Sequence, residues 1–280
     1  MTIDLVFITY NRLEYTKLAL QSVLADPTEQ FSLTIWDNAS TDGTVEYLRN
    51  EVRDSRIKDK IFSKENIGQT AAVNRVWSNS DADILGKLDN DCIVTSGWTR
   101  LLAEAHADID NLGVVACWNF FEADFDYARA KHKIQRIGKH QIFRHPWTCG
   151  TGLLIKRTTF EKMGPIQTGM TTQYWLRMAR AGYINGFYFP LVYQEHMDDP
   201  QSAYCMINTE KGLREHASIS AGLQVRRFDT VEATLKWRDE ILRNLLDDPY
   251  DPRYYTGWRR KLRTAKRRIR RLTARIKNTQ

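Results

Sequence analysis

The chain has few cysteines and no long apolar run. Only four cysteines occur in 280 residues, and no two have the CxxC spacing of a structural metal or redox site. No apolar stretch approaches the roughly 20 residues that a membrane-spanning helix needs. The first residues also lack the charged and apolar regions of a signal peptide. We therefore expect reduced thiols and a cytoplasmic location.

Acidic residues are absent from the C-terminal tail, residues 257–280, which holds eleven of the 41 Lys and Arg residues. The rest of the chain then carries 30 basic against 34 acidic residues, so the basic character of the protein comes from the tail. The tail also contains apolar residues at spacings of four and three, which predict one narrow stripe on a helix: Trp258, Leu262, Ala265, Ile269, Leu272 and Ile276.

Three interpretations of the tail are open. A basic amphipathic helix suits an anionic membrane surface, where each cation contributes about 1 kcal/mol. The stripe could instead dock on the acidic body of the chain. A self-associating coiled coil would crowd like charges along its flanks. Nucleic-acid binding is not expected, because a charge run without a recognisable binding module is weak support for it.

A pair of carboxylates follows one apolar strand. Ile84-Leu85-Gly86 leads into Leu88-Asp89-Asn90-Asp91, where alternate side chains can converge on one cation. Oxygen ligands favour Mg²⁺ or Mn²⁺, and such metals usually keep positions open for phosphate oxygens. Cys92 beside this turn is interpreted as a packing residue.

Three earlier polar turns follow apolar strands in the same way, and each precedes a helical pattern. Strand, turn and helix repeat about every 25–30 residues, which predicts an α/β fold with an open, mostly parallel sheet and helices on both faces. In such sheets ligands bind at the carboxyl ends of the strands. The turns are Thr9-Tyr10-Asn11-Arg12, Asp37-Asn38-Ala39-Ser40-Thr41-Asp42-Gly43-Thr44 and Asn66-Ile67-Gly68.

Taken together, these motifs resemble glycosyltransferase family 2, which has the GT-A fold, over roughly residues 1–200. The resemblance implies transfer of a sugar from a nucleotide diphosphate donor, with a bound metal. UDP is favoured by its frequency in the family. The expected acceptor is a hydroxyl of a glycan or a lipid-linked molecule, in cell-surface polysaccharide synthesis. With a membrane-bound tail, the enzyme would lie at the inner face of the plasma membrane.

The resemblance also implies roles for individual residues. Asp91 would ligate the metal with His196, and Asp89 would face the ribose or the metal. The predicted nucleotide-sugar residues are Thr9, Asn11, Arg12, Asp37, Asn38, Asn66, Gly68, Asp89 and Asn90. Each of these positions also has a purely structural interpretation. Asp37 could form a capping turn, Asn66 and Gly68 a plain turn, and His196 could be a surface residue. Asn74, which follows the third turn, could form a hydrogen bond between layers.

Inverting members of the family usually carry an acidic pair where this chain has Met170-Thr171-Thr172-Gln173. No acid occurs between Lys162 and Gln194. A threonine cannot accept the acceptor's proton at neutral pH. Either a base comes from elsewhere, or the transfer retains configuration and a donor phosphate oxygen takes the proton, or the chain binds a nucleotide sugar without turnover. The candidate bases are Glu122 and Asp198, with Asp124, Asp126 and Glu195 as further possibilities.

The predicted organisation has three parts. Residues 1–205 form the catalytic domain, with a nucleotide-sugar half over about 1–95 and an acceptor half over about 96–205. Residues 206–248 form a helical segment packed on it, and 249–280 a hinge and the basic tail. Two other functions are weighed: a non-catalytic nucleotide-sugar-binding protein at the membrane, and a sugar nucleotidylyltransferase. The latter would need a Gly-rich loop where Thr9-Tyr10-Asn11-Arg12 stands. The oligomeric state is left open.

Overall fold

A computed structural model describes residues 1–27, 29–169, 171–216 and 228–265. These residues form a mixed sheet of nine strands and a separate two-stranded ribbon. The strands of the sheet are β1 (Ile3–Thr9), β2 (Ser32–Asp37), β3 (Ile57–Phe62), β4 (Ile84–Asp89), β6 (Leu112–Ala116), β7 (Ile134–Ile137), β8 (His140–Arg144), β9 (Leu153–Lys156) and β10 (Ile184–Phe189). The ribbon pairs β5 (Cys92–Val94) with β11 (Gln194–His196).

Helices connect most of these strands. They are α1 (Leu13–Leu24), α2 (Thr44–Asn50), α3 (Gln69–Trp77), α4 (Trp98–Asp108), α5 (Tyr127–Ala130), α6 (Arg157–Met163), α7 (Thr171–Arg180), α8 (Glu210–His216) and α9 (Val231–Asp247). Short 3-10 turns occur at Glu122–Asp124, Lys131–Lys133 and Pro252–Tyr255. Residues 257–265 begin a further helix. Among the helices of the described ranges, none is both long and apolar enough to cross a membrane.

The strand order is β3-β2-β1-β4-β9-β6-β10-β8-β7. Only β9 and β8 run against the others, which confirms the predicted mostly parallel α/β sheet. Because β9 is antiparallel to β4, with Leu153 opposite Lys87, the loop that precedes β9 lies beside the end of β4. This reversal brings the Gly150-Thr151 loop to the edge where β1, β2 and β4 end.

The central strands are apolar on both faces because helices cover both. In β1, Leu5 and Phe7 contribute to one buried cluster with α1 and α4. Val6 and Ile8 contribute to the other, with α3 and α7. A parallel strand buried on two faces reads as a continuous apolar run, which is how Leu5-Val6-Phe7-Ile8 appears in the sequence.

The C-terminal helix α9 is anchored at its end by a buried lysine. Lys133 donates to the carbonyls of Leu245 and Asp248, and burial lowers the pKa of Lys133 to about 8. A cation at a helix C-terminus complements the helix dipole. Nearby, the Tyr255 hydroxyl lies 2.9 Å from His145 Nε2 and 3.2 Å from Asp248 Oδ2. The chain thus remains fixed to the body up to the start of the basic tail.

Candidate functional site

The polar turns that follow β1, β2 and β4 lie at one edge of the sheet. β1 lies between β2 and β4, and its register places Thr9 opposite Asp37 and Ile8 opposite Asp89. Parallel strands end at a common edge, so each turn contributes side chains to the same region. The predicted convergence of these turns is therefore present in the structure.

The ribbon β5–β11 brings a histidine to the same edge. It places His196 opposite Cys92, and the Met197 N–H donates to the Asp91 carbonyl at 2.7 Å. His196 Nε2 then lies 3.9 Å from Asp91 Oδ2. Together with the Cys92 thiol, these side chains form a group whose ligand atoms lie within 4.8 Å of one another.

The pair Asp91 and His196 fits a shared divalent metal. Ligand atoms that each bind a metal at about 2.1 Å can lie up to about 4.2 Å apart, so the observed separation is suitable. A carboxylate with an imidazole is a suitable donor set for Mn²⁺. Burial raises the pKa of the Cys92 thiol, which stays protonated and is a poor ligand for a hard cation. The structure thus agrees with a packing role for Cys92.

Arg12 lies between the metal-ligand candidates and a second carboxylate. Its Nη2 donates to Asp91 Oδ2 at 3.0 Å, and its Nη1 donates to both oxygens of Asp198 at 2.9 Å. Burial alone would lower the pKa of Arg12, but the charges of Asp198 and Asp91 outweigh it and raise that pKa. Arg12 was predicted to line the nucleotide pocket, whereas its guanidinium lies against the two aspartates.

Asp89 is paired with a lysine from its own strand. Lys87 Nζ donates to both carboxylate oxygens of Asp89, at 2.7 and 2.6 Å, and to the Gly150 carbonyl at 2.6 Å. The Asp89 N–H donates to Thr151 Oγ1. Burial raises the pKa of Asp89 while Lys87 opposes that change. A direct metal role for Asp89 stays a prediction, and its observed partner is Lys87.

Thr9, Asn11 and Asn90 form a network that fixes the first turn. The Asn90 amide donates to Thr9 Oγ1, to Thr16 Oγ1 and to the Asn11 carbonyl. The Asn11 side chain accepts from the Thr41 N–H at 2.8 Å. Thr9 and Asn90 are buried, so their observed role is to hold the backbone that lines the edge. Their predicted contact with the nucleotide is untested.

The second turn is built around Asp37, Asn38 and Asp42. The Asp37 carboxylate accepts from both the N–H and the hydroxyl of Ser40, and burial raises the pKa of Asp37 although these hydrogen bonds oppose the shift. Asn38 is buried and accepts from the Trp36 indole. Asp42 accepts from the N–H groups of Leu13 and Thr44, which are the first residues of α1 and α2. Asp37 is therefore not needed to cap α2.

The third turn is more exposed. Asn66 Oδ1 accepts from the Gly68 N–H at 2.9 Å, which closes a small turn before α3. Gly68 has φ +77°, a conformation that favours glycine. A Cβ at this position would meet nothing within 4 Å, so the backbone conformation, and not lack of space, explains the glycine. Asn74 bonds to both the N–H and the carbonyl of Ile166, which is the interlayer role considered for it.

Comparison with known proteins decides the family. The model for glycosyl transferase family 2 matches residues 4–172, more than half of the chain. The chain belongs to glycosyltransferase family 2.

A solved structure of similar fold is the mannosyltransferase PcManGT from Pyrobaculum calidifontis, in complex with GDP-Man and Mn²⁺. It shares 17% identity with this glycosyltransferase over 86% of this chain and 69% of the other, with a TM-score of 0.57. That likeness confirms the predicted GT-A fold. Among proteins with curated descriptions, none matches the chain by sequence.

In the predicted acceptor half of this glycosyltransferase, α7 begins without an acid. Its first turn, from Thr171, contains neither Asp nor Glu, and Met170 lies outside the described residues. Four of the five candidate bases already have partners. Asp198 is bound by Arg12, Asp124 by Arg238, Asp126 caps α5, and Glu195 accepts from Ser202.

Both carboxylate oxygens of Asp198 accept from Arg12 Nη1, so Asp198 is already engaged, which disfavours it as the base. The Glu122 carboxylate is exposed and makes no hydrogen bond or ion pair within the described part of the chain. Glu122 follows β6. The backbone bridge between Trp118 and Tyr193 places the residues after β6 beside the residues that lead into β11. Glu122 is therefore the better of the two proposed bases.

Sequence reasoning missed two cations of this site. Lys87 could have been found from the sequence, because its position two residues before Asp89 in the predicted strand puts both side chains on one face. Arg238 on α9 bonds to Asp199 and Asp124 and lies over the Phe120 ring. Only the tertiary fold brings Arg238 to these residues, so no local pattern could have indicated it.

Proposed function

We propose that this protein is a metal-dependent glycosyltransferase that transfers a sugar from a nucleoside diphosphate donor to a hydroxyl of a glycan or lipid-linked acceptor. The observation that carries the proposal is the pairing of Asp91 with His196 at the carboxyl edge of the sheet. Family membership supports glycosyl transfer over nucleotidylyl transfer. Cell-surface polysaccharide synthesis remains the proposed setting.

Each group of residues has a proposed task. Asp91 and His196 would hold Mn²⁺ or Mg²⁺, which when bound supplies Lewis-acid neutralisation of the departing diphosphate. The turn at Asp37 and Ser40 would face the nucleoside. In an inverting transfer, Glu122 would take the proton of the acceptor hydroxyl as its oxygen attacks the anomeric carbon. In a retaining transfer, a donor phosphate oxygen would take that proton and Glu122 would have no such task.

The donor is tested by ligand-dependent stability. We expect the melting temperature to rise with UDP in the presence of Mn²⁺ and to stay nearly unchanged with UDP or Mn²⁺ alone. A ligand at 100 times its Kd stabilises the native state by about 2.7 kcal/mol. GDP is the second nucleotide to be tested, because the structural neighbour holds GDP-Man. dTDP is the third, and UMP is the control that lacks the diphosphate.

The outcomes separate the candidate functions. A metal-dependent shift with one nucleotide would assign the donor class. Subsequent hydrolysis of the matching nucleotide sugar would distinguish an enzyme from a non-catalytic binding protein. The absence of a shift with every nucleotide would contradict the proposed function.

The start of the basic tail supports a peripheral position at an anionic membrane. Trp258 is 66% exposed and Leu262 50% exposed, although they belong to the predicted apolar stripe. Arg263 instead faces the body, where it pairs with Asp248 and lies over the Tyr255 ring. An exposed stripe disfavours docking on the body and suits a lipid interface. Residues 266–280 lie outside the described residues. We propose location at the inner face of the plasma membrane.

We expect the chain to sediment with vesicles that contain phosphatidylserine and to remain free with purely zwitterionic vesicles. Trp258→Ala should weaken the binding about tenfold, because burying a large apolar side chain contributes about 1.5–3 kcal/mol. Tyr127→Ala is the matched control, since Tyr127 is another exposed aromatic, 58% exposed, and lies outside the tail. Equal binding to both vesicle types would refute the membrane role.

A further inference from the structure

Arg12 carries a positive charge to the point where the metal-ligand candidates meet. Its side chain is only 7% exposed, so the charge is largely withdrawn from water. The atom it contacts on Asp91 is Oδ2, the same oxygen that lies 3.9 Å from His196. Arg12 thus bonds to the carboxylate oxygen that faces the second candidate ligand.

The position of Arg12 is fixed by its surroundings. Its backbone is left-handed, with φ 58° and ψ 56°, a conformation that costs a non-glycine residue about 1 kcal/mol or more. Its guanidinium carbon lies 5.0 Å from the centre of the Tyr15 ring. The Tyr15 hydroxyl donates to the carbonyls of Met197 and Tyr204. The side chain is therefore held at the site by both its backbone and its neighbours.

The charges of the site explain why such a cation matters. Arg12 and Lys87 are positive, and Asp89, Asp91 and Asp198 are negative, which leaves one net negative charge. A histidine ligand is neutral when it binds a metal. These charges sum to −1 without metal and to +1 with a free divalent cation, which Arg12 would repel because its Nη2 lies 3.0 Å from Asp91 Oδ2. The negative charges of a nucleoside diphosphate would offset the added positive charge.

We propose that Arg12 is the built-in counter-cation of this site, which keeps its affinity for a free divalent metal low until a nucleoside diphosphate is bound. This inference rests on the proposed function. Without metal, Arg12 neutralises Asp91. With metal and diphosphate present, Arg12 retains its second partner, Asp198. The metal then enters the site together with the donor diphosphate.

The test measures Mn²⁺ binding to the metal-free full chain by electron paramagnetic resonance, without nucleotide and with UDP, GDP or dTDP. For the wild type we expect weak Mn²⁺ binding alone and at least about tenfold tighter binding with one nucleotide. Arg12→Met should bind Mn²⁺ alone at least about tenfold more tightly than the wild type, because a like charge a few ångströms from the metal has been removed.

The competing explanation predicts that Arg12→Met changes the affinity for Mn²⁺ in the opposite direction. If Arg12 only orients Asp91, Arg12→Met should weaken Mn²⁺ binding by about 10–100-fold, as the loss of a residue that orients a metal ligand does. That result, or an unchanged affinity, would overturn the proposal. The readout is binding alone, so it does not depend on turnover.

Arg12→Met leaves Asp91 and Asp198 without their cation, so this variant could fail to fold. A second variant tests the proposal in that case. The double variant Arg12→Met with Asp198→Asn removes opposite charges together and keeps the net charge of the wild type. We expect its affinity for Mn²⁺ alone to lie within about threefold of the wild type, because the two charge effects offset each other. A loss of tenfold or more would contradict the counter-cation role.

The same measurements separate this inference from the proposed function. If the wild type bound no Mn²⁺ even with UDP, GDP or dTDP, the proposed function would fail. If the wild type bound Mn²⁺ with nucleotide while Arg12→Met showed no gain in affinity for Mn²⁺ alone, only the counter-cation role would fail.

Discussion

Asp91→Asn should abolish the metal-dependent turnover of this glycosyltransferase while leaving its fold intact. The substitution removes a charge but little volume, and Arg12 keeps its contacts with Asp198. A metal at such a site contributes several kcal/mol of transition-state stabilisation, so kcat/KM should fall at least about 10³-fold. The measurement is donor consumption across a Mn²⁺ titration, with circular dichroism as the test of folding.

A matched control is Asp81→Asn. Asp81 is exposed and precedes β4, so it lies at the opposite edge of the sheet from Asp91, which follows that strand. The control should keep wild-type turnover. His196→Ala should weaken the metal dependence less than Asp91→Asn, because Asp91 supplies the charge. Normal turnover by the Asp91 variant would exclude Asp91 from the site.

Glu122→Gln should lower kcat about 10²-fold while leaving donor binding unchanged. General base catalysis typically contributes 10²–10⁴-fold, and an amide cannot accept the proton. Glu122 is exposed at the start of a 3-10 turn, so the substitution should cost little stability. The measurements are single-turnover sugar transfer and, separately, nucleotide-dependent melting temperature.

Glu195→Gln is the comparison variant, since Glu195 is another candidate base of the same type but already accepts from Ser202 at 2.6 Å. It should keep most of the activity. Normal activity in both variants would exclude Glu122 and Glu195 as the base. The anomeric configuration of the product would then decide whether a donor phosphate oxygen takes the proton.

The fold and the position of the site could be predicted because both follow from local patterns. A buried strand followed by a polar turn and a helix is visible within about 30 residues, and parallel strands align such turns at one edge. The pairing of Asp91 with His196 was expected only from the family resemblance, because the ribbon that brings His196 beside Cys92 is not visible in a local pattern.

The partners of the charged residues could not be predicted in the same way. Arg12 and Asp198 are 186 positions apart, and Lys87 meets the Gly150 carbonyl across 63 positions. Such contacts depend on the antiparallel direction of β9 and on the pairing of β5 with β11. Neither can be predicted from the spacing of residues within one segment. The contact of Asp42 with both α1 and α2 is of the same kind, since its carboxylate accepts from the N–H groups of Leu13 and Thr44, which are 29 and two positions away.

The adjacent residues Asp198 and Asp199 connect two distant parts of the chain. Asp198 binds Arg12 at the start of α1, while Asp199 binds Arg238 in the middle of α9. Removing α9 would leave Asp199 without its cation directly beside the residue that holds Arg12, and an uncompensated buried charge is strongly destabilising. We therefore expect the smallest stable unit that contains this site to extend past residue 172, where the match to the family model ends, and to include α9.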